Sequence, residues 1–207
     1  NSLPDNLLTA SLASPLEWKP EIVLVGNISE EAVVEQSAAL DCCVKAIDRF
    51  VNVACRGVRF PCLLGRAGSG KSHVLKLGLA YALSKGLQCE LLSFTSERAR
   101  KLGGSHMHLV FPFGVNHSRV SFTHDLVASC MASLDKDQMK MSMLKRTDVF
   151  IFEELGLLSA EYFSALDNVL RLVMDNSSPM GGKLFISCGD SKQLPPIDGR
   201  PIWASLN

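Results

Sequence analysis

Residues 65–72 read Gly-Arg-Ala-Gly-Ser-Gly-Lys-Ser, an instance of G-x-x-x-x-G-K-[ST]. An apolar run at 59–64 precedes the motif, and a helix-like stretch at 71–84 follows it. That order leaves few architectures open. A strand must end where the glycine loop begins, and a helix must start where it closes. Gly68 and Gly70 permit torsions and close approaches barred to larger side chains. With Gly65 and Ser69, they form a loop whose successive N–H groups nest an anion at the positive end of the helix. Lys71 is placed to reach the β- and γ-phosphates of a nucleotide, and Ser72 to give its hydroxyl to Mg²⁺. ATP and Mg²⁺ are therefore the expected cofactors.

The remaining periodicities extend this unit. Residues up to 28 carry Pro4, Pro15 and Pro20 without clear periodicity and read as a loose lead-in. From residue 29 a helical pattern places Val33, Ser37, Leu40, Val44, Ile47, Val51 and Ala54 on one face. A strand is expected at 88–95, a short helix at 96–102 and a Gly-, His- and aromatic-rich loop to about 119. One helix is expected over much of 121–144, then a strand at 149–152, a helix at 160–174 and a strand at 183–187. Strands alternating with helices imply an α/β fold with a mostly parallel sheet and helices on both faces, over residues 29–207.

A phosphate loop needs a carboxylate at a neighbouring strand end to hold the metal, and a base to orient water. Val149-Phe150-Ile151-Phe152-Glu153-Glu154 supplies both, at the strand edge where open α/β sheets place ligands. Such pairs are usually Asp then Glu. With Glu153 in the first position, the extra methylene displaces the carboxylate by roughly an ångström unless the backbone adjusts. Asp148 lies at the other end of the strand, on the order of 15 Å away. A third element, Gly189-Asp190-Ser191-Lys192-Gln193-Leu194-Pro195-Pro196, follows the last strand and places Gln193 to sense a γ-phosphate.

Composition limits the partners. The 21 basic and 21 acidic side chains cancel, so a nucleic acid must be held by a local patch. Residues 98–124 contain no Asp or Glu but carry Arg98, Arg100, Lys101 and Arg119. Phe111 and Phe113 lie in that stretch, either as stacking groups for single-stranded DNA or as core residues. A 47% hydrophobic, 20% charged chain is not disordered, and its apolar runs are too short to span a membrane. Seven cysteines without metal-ligand spacing read as thiols of a reducing intracellular compartment. The chain starts at Asn1 with no signal-peptide pattern and reads as a fragment or excised domain.

In their order and spacing, GRAGSGKS, FIFEELGLLSAEYFSALDNVLR and GGKLFISCGDSKQLPPI resemble the PIF-type (petite integration frequency) DNA helicases of superfamily one. GDSKQLPP is the most specific part, and the resemblance covers roughly residues 30–203. It implies a RecA-like phosphate-loop NTPase domain, ATP hydrolysis with Mg²⁺, and 5′-to-3′ movement on single-stranded DNA. Repair, recombination or telomere maintenance, in a nucleus or mitochondrion if the source is eukaryotic, are the settings it implies. By position, Lys71 and Ser72 match the ATP–Mg²⁺ motif, Glu153 the metal-binding acid, Glu154 the catalytic glutamate and Gln193 the γ-phosphate sensor. Gln36 resembles an upstream glutamine that reads adenine. Thr95, Ser96 and His108 fall on strand-contacting motifs, beside Arg98, Arg100 and Lys101. The family's second RecA-like domain, with its arginine finger, is expected as a partner beyond this chain. Two other readings stay open: a degenerate nucleotide-binding module without turnover, and a small-molecule kinase.

Overall fold

A computed structural model describes residues 19–22, 29–52, 60–114, 123–190, 192, 195–196 and 199–202. The expected lead-in falls mostly outside these residues, as do Gln193 and Arg119. Helix α1, Glu30–Asn52, starts where Ser29 Oγ accepts the Ala32 N–H at 3.2 Å, with Glu30 and Glu31 at its positive end. Its buried stripe is Leu40, Cys43, Ala46 and Ile47, rotated from the expected face, so that Val51 is 47% exposed. That stripe packs on the partner helix α2, Lys71–Ser84, where Gly78 lies against Cys43. The Tyr81 hydroxyl donates to Asp48 at 2.6 Å and joins the two helices.

Strand β1, Cys62–Leu64, precedes α2, and β2, Cys89–Ser93, follows it. Next come α3, Ser96–Leu102, the short β3, Ser105–His106, and the single turn α4, Met107–Val110. The helix expected at 121–144 is two helices, α5, Thr123–Leu134, and α6, Gln138–Arg146. Asp137 divides them, because its carboxylate accepts the Lys140 N–H at 3.0 Å and caps α6. Strand β4, Val149–Glu153, then helix α7, Ala160–Met174, and strand β5, Leu184–Gly189, complete the fold.

Among the described residues the sheet has order β1-β5-β4-β2-β3, and every pairing is parallel. β4 is buried along its whole length, as its unbroken apolar run predicts. Its alternate residues enter separate cores. Phe150 and Phe152 pack with Phe185, Leu126 and Leu166 beneath α5 and α7. Val149 and Ile151 pack with Ile186, Val74 and Ile47 beneath α1 and α2. Because β5 separates β1 from β4, the turn after β5 lies between the phosphate loop and the acidic strand end. No described helix is long and apolar enough to cross a membrane.

Helix α7 begins at Ser159, whose buried Oγ accepts the Tyr162 N–H at 3.3 Å. Ser159→Ala is expected to lower unfolding free energy by about 1 kcal/mol, since the cap satisfies one orphan helix N–H. Urea denaturation of both chains measures it, as a lower midpoint at unchanged slope.

Candidate nucleotide site

The loop after β1 is tied to β5 by the Gly65 N–H, which donates to the Gly189 carbonyl at 3.2 Å. Gly70 caps α2 at φ 85°, a left-handed torsion that favours glycine. A Cβ there would also strike the Gln36 amide. Gln36 reaches the loop from α1 and donates from Nε2 to the Ser69 carbonyl at 3.2 Å. It lines a cleft of about 510 Å³ with Ala39, Leu64 and Lys71. The expected adenine reader and the phosphate loop are thus brought together.

Lys71 Nζ donates to the carbonyls of Gly65 at 2.6 Å and Arg66 at 2.7 Å. On its other side a second cleft, about 290 Å³, takes in Gly68, Ser72, Glu153, Glu154 and Asp190. The Ser72 hydroxyl hydrogen-bonds Glu153 Oε1 directly, so the longer acid does reach the loop serine. Glu153 is 2% exposed, and its Oε2 has no hydrogen-bond partner among the described residues. A bare buried carboxylate oxygen is unfavourable. Together with the serine hydroxyl it forms the hard-oxygen donor set that suits Mg²⁺, which takes one or two protein carboxylates and keeps its other positions for water and phosphate.

Glu154 departs from the strand at φ 61°, ψ 51°, a left-handed conformation that costs a non-glycine residue roughly 1–2 kcal/mol. In a straight strand two neighbours face opposite sides. The left-handed residue ends that alternation, and both carboxylates line the same cleft. Burial holds the Glu154 carboxyl above the usual carboxylate range. The Arg98 guanidinium opposes this, the Glu153 charge adds to it, and Lys71 opposes it.

The expected strand-contacting residues divide. Thr95, Ser96, Arg100 and Lys101 are exposed on or beside α3, with Lys101 paired to Glu97 at 2.7 Å. Arg98 turns the other way. Its Nη2 lies 2.9 Å from Glu154 Oε1 and its Nη1 3.9 Å from Glu153 Oε1, so it faces the acidic pair. His108 is half-buried among Phe94, His106 and Tyr162, and burial with the neighbouring His106 holds its pKa below the ordinary value. Phe111 and Phe113 are core residues, 0% and 4% exposed, and stack on each other at 6.1 Å. Neither offers a face to a base. Asp190, unassigned by its motif, lines the cleft and accepts the Lys192 N–H at 3.0 Å. Its place directly after a strand neighbouring β4 was the signal that could have found it.

A phosphate loop, a serine bound to a buried acid and a second acid on a parallel sheet define a RecA-like phosphate-loop NTPase domain. Within that class, the family model described as PIF1-like helicase matches residues 35–202, and the chain belongs to that family. A relative from Psychrobacter, an ATP-dependent DNA helicase Pif1, is 26% identical over 138 residues, covering 67% of this chain and 20% of the relative. The crystal structure of Pif1 helicase from Candida albicans superposes with TM-score 0.64 at 20% identity, covering 85% of this chain and 34% of that one. Pif1 helicase from Bacteroides, in complex with ADP-AlF3 and ssDNA, gives TM-score 0.53 at 25% identity over 73% of this chain and 33% of that one. The chain spans about a fifth to a third of the length of the relatives it matches first.

Proposed function

We propose that this chain is the first ATP-hydrolysing motor domain of an ATP-dependent DNA helicase moving 5′-to-3′ on single-stranded DNA. The observation that carries the reading is the convergence of Lys71, Ser72, Glu153 and Glu154 on one cleft at the sheet's C-terminal edge. In this reading the loop N–H groups and Lys71 bind the triphosphate, and Lys71 exchanges its loop carbonyls for phosphate oxygens. Ser72 and Glu153 would hold Mg²⁺, which would supply positive charge to the phosphate oxygens. Glu154 accepts a hydrogen bond from the attacking water and aligns it. Gln36 contacts the base. Thr95, Ser96, Arg100 and Lys101 face the single strand, where their contacts to phosphates carry little sequence information. That the Bacteroides relative is found in complex with ssDNA supports a single-stranded DNA partner.

A motor of this type needs two domains that close on the nucleotide and reopen. An arginine contributed by the second can be worth on the order of 10³–10⁵ in rate. The test compares this chain with a longer one carrying the region that follows it in the relatives, on a 5′-tailed duplex. Expected are slow Mg²⁺-dependent ATP hydrolysis without unwinding by the chain alone, and unwinding by the longer one. Robust unwinding by the 207-residue chain would refute the half-motor reading. Tight Mg-ATP binding without turnover in either chain would leave a nucleotide-binding module in its place.

A further inference from the structure

Two clefts meet at the phosphate loop. The larger, about 510 Å³, has Gln36 and Ala39 on its wall. The smaller, about 290 Å³, has Glu153, Glu154 and Asp190. Ser69 and Lys71 line both, so the two adjoin across the loop. A nucleotide with its base beside Gln36 and its phosphates on the loop therefore ends, at its terminal phosphate, in the smaller cleft. Three carboxylates already line that end. Among the described residues lining the smaller cleft, Lys71 and Arg98 carry the permanent positive charges. Ser93 at the end of β2 is the register partner of Glu153, which brings the start of α3 beside the acidic pair. Arg98 reaches the cleft from the first turn of α3, where the buried Ala99 seats the helix. Arg100 and Lys101 on the same helix do not line it.

We propose that Arg98 is a terminal-phosphate contact, its guanidinium bridging Glu154 and the γ-phosphate of bound ATP. This rests on the reading of the cleft as an ATP site, and it names the residue by which that site prefers a triphosphate to a diphosphate. Lys71 contacts the carbonyls of Gly65 and Arg66 and so belongs to the loop side of the phosphates. Arg98, bonded to Glu154, belongs to the acidic side. The 2.9 Å contact to Glu154 is made through Nη2. Nη1 lies 3.9 Å from Glu153 Oε1, beyond hydrogen-bond distance. A guanidinium presents five N–H donors in a planar fork, enough to hold a carboxylate with one nitrogen and a phosphate oxygen with another. The Arg98 side chain is 47% exposed, so a ligand entering the cleft can reach it. A terminal phosphate beside Glu154 meets a like charge, and a cation bonded to both offsets that repulsion. A diphosphate stops short of the acidic side and gains nothing from it. The contact comes from the same domain as the phosphate loop, so it operates in this chain without a second domain.

The experiment compares the 207-residue chain with Arg98→Ala and Arg98→Lys by calorimetric titration. The probes are Mg-ADP and a non-hydrolysable Mg-ATP analogue. In Arg98→Ala, affinity for the analogue is expected to fall about tenfold, while affinity for Mg-ADP stays within about twofold of the parent. Arg98→Lys falls between the two, because lysine restores the charge without the fork. A ³¹P NMR spectrum of the bound analogue gives a second readout that needs no turnover. Its γ resonance moves in Arg98→Ala, and its α resonance does not. Equal losses for both nucleotides would make Arg98 a mere support of the cleft and overturn the proposal, as would an unchanged affinity for the analogue or an unmoved γ resonance. Mg-ADP binding by the parent tests the nucleotide site by itself. A parent that binds neither nucleotide would refute that site and the proposal with it, whereas a parent that binds both, beside an Arg98→Ala variant unchanged toward the analogue, would refute the role of Arg98 alone.

Discussion

Glu154→Gln is expected to leave Mg-ATP binding close to that of the parent and to slow turnover by roughly 10²–10⁴-fold. The amide matches the carboxylate in shape but carries no charge and cannot take a proton. The loss therefore falls on the transition state, where the attacking water becomes acidic, and not on the bound ground state. Glu153, buried and bonded to Ser72, is committed to the loop and cannot take over. Phosphate release in the presence of single-stranded DNA measures the rate, and calorimetry with a non-hydrolysable analogue measures binding. Turnover equal to the parent's would show that the two acids have been assigned the wrong roles.

Lys71→Ala acts on binding itself. A charge-assisted contact to phosphate contributes roughly 1.5–3 kcal/mol, so affinity for Mg-ATP should fall by about 10- to 150-fold. The lysine also braces the loop through its two carbonyl contacts. Lys71→Met, which keeps the stem, separates the lost charge from lost packing. Both variants are expected to bind weakly by calorimetric titration, with α2 still folded by circular dichroism. Unchanged affinity would place the nucleotide elsewhere.

Much of this arrangement was legible in the residues. The bounds of α2 and α7 agree with their apolar periodicity, and β4 announced itself as four consecutive apolar residues before two acids. Other features depended on contacts distant in sequence. The stripe on α1 follows its packing against α2, where Cys43 meets Gly78, 35 residues further along the chain. The break between α5 and α6 depends on Asp137 capping a new helix instead of continuing an old one. Phe111 and Phe113 could not be assigned to solvent or core until their contacts with Phe150 and Tyr162 were known. Arg98 read as one basic residue among several. The pairing of Ser93 with Glu153 turned it toward the acids.

Strand β4 has a consequence for how such a domain can change over generations. Its even residues lock into one core and its odd residues into the other, and the acidic pair is carried at its end. The carboxylates therefore have no private support. A substitution that loosens Phe150 beneath α7, or Ile151 beneath α1, disturbs the same five-residue strand. Many such changes would be tolerated if stability alone were under selection. Here they shift the distance between Glu153 and Ser72, so selection sees them as changes in chemistry. Drift in the two cores is then coupled through the site, and a change accepted on one face of the sheet restricts which changes the other face can accept.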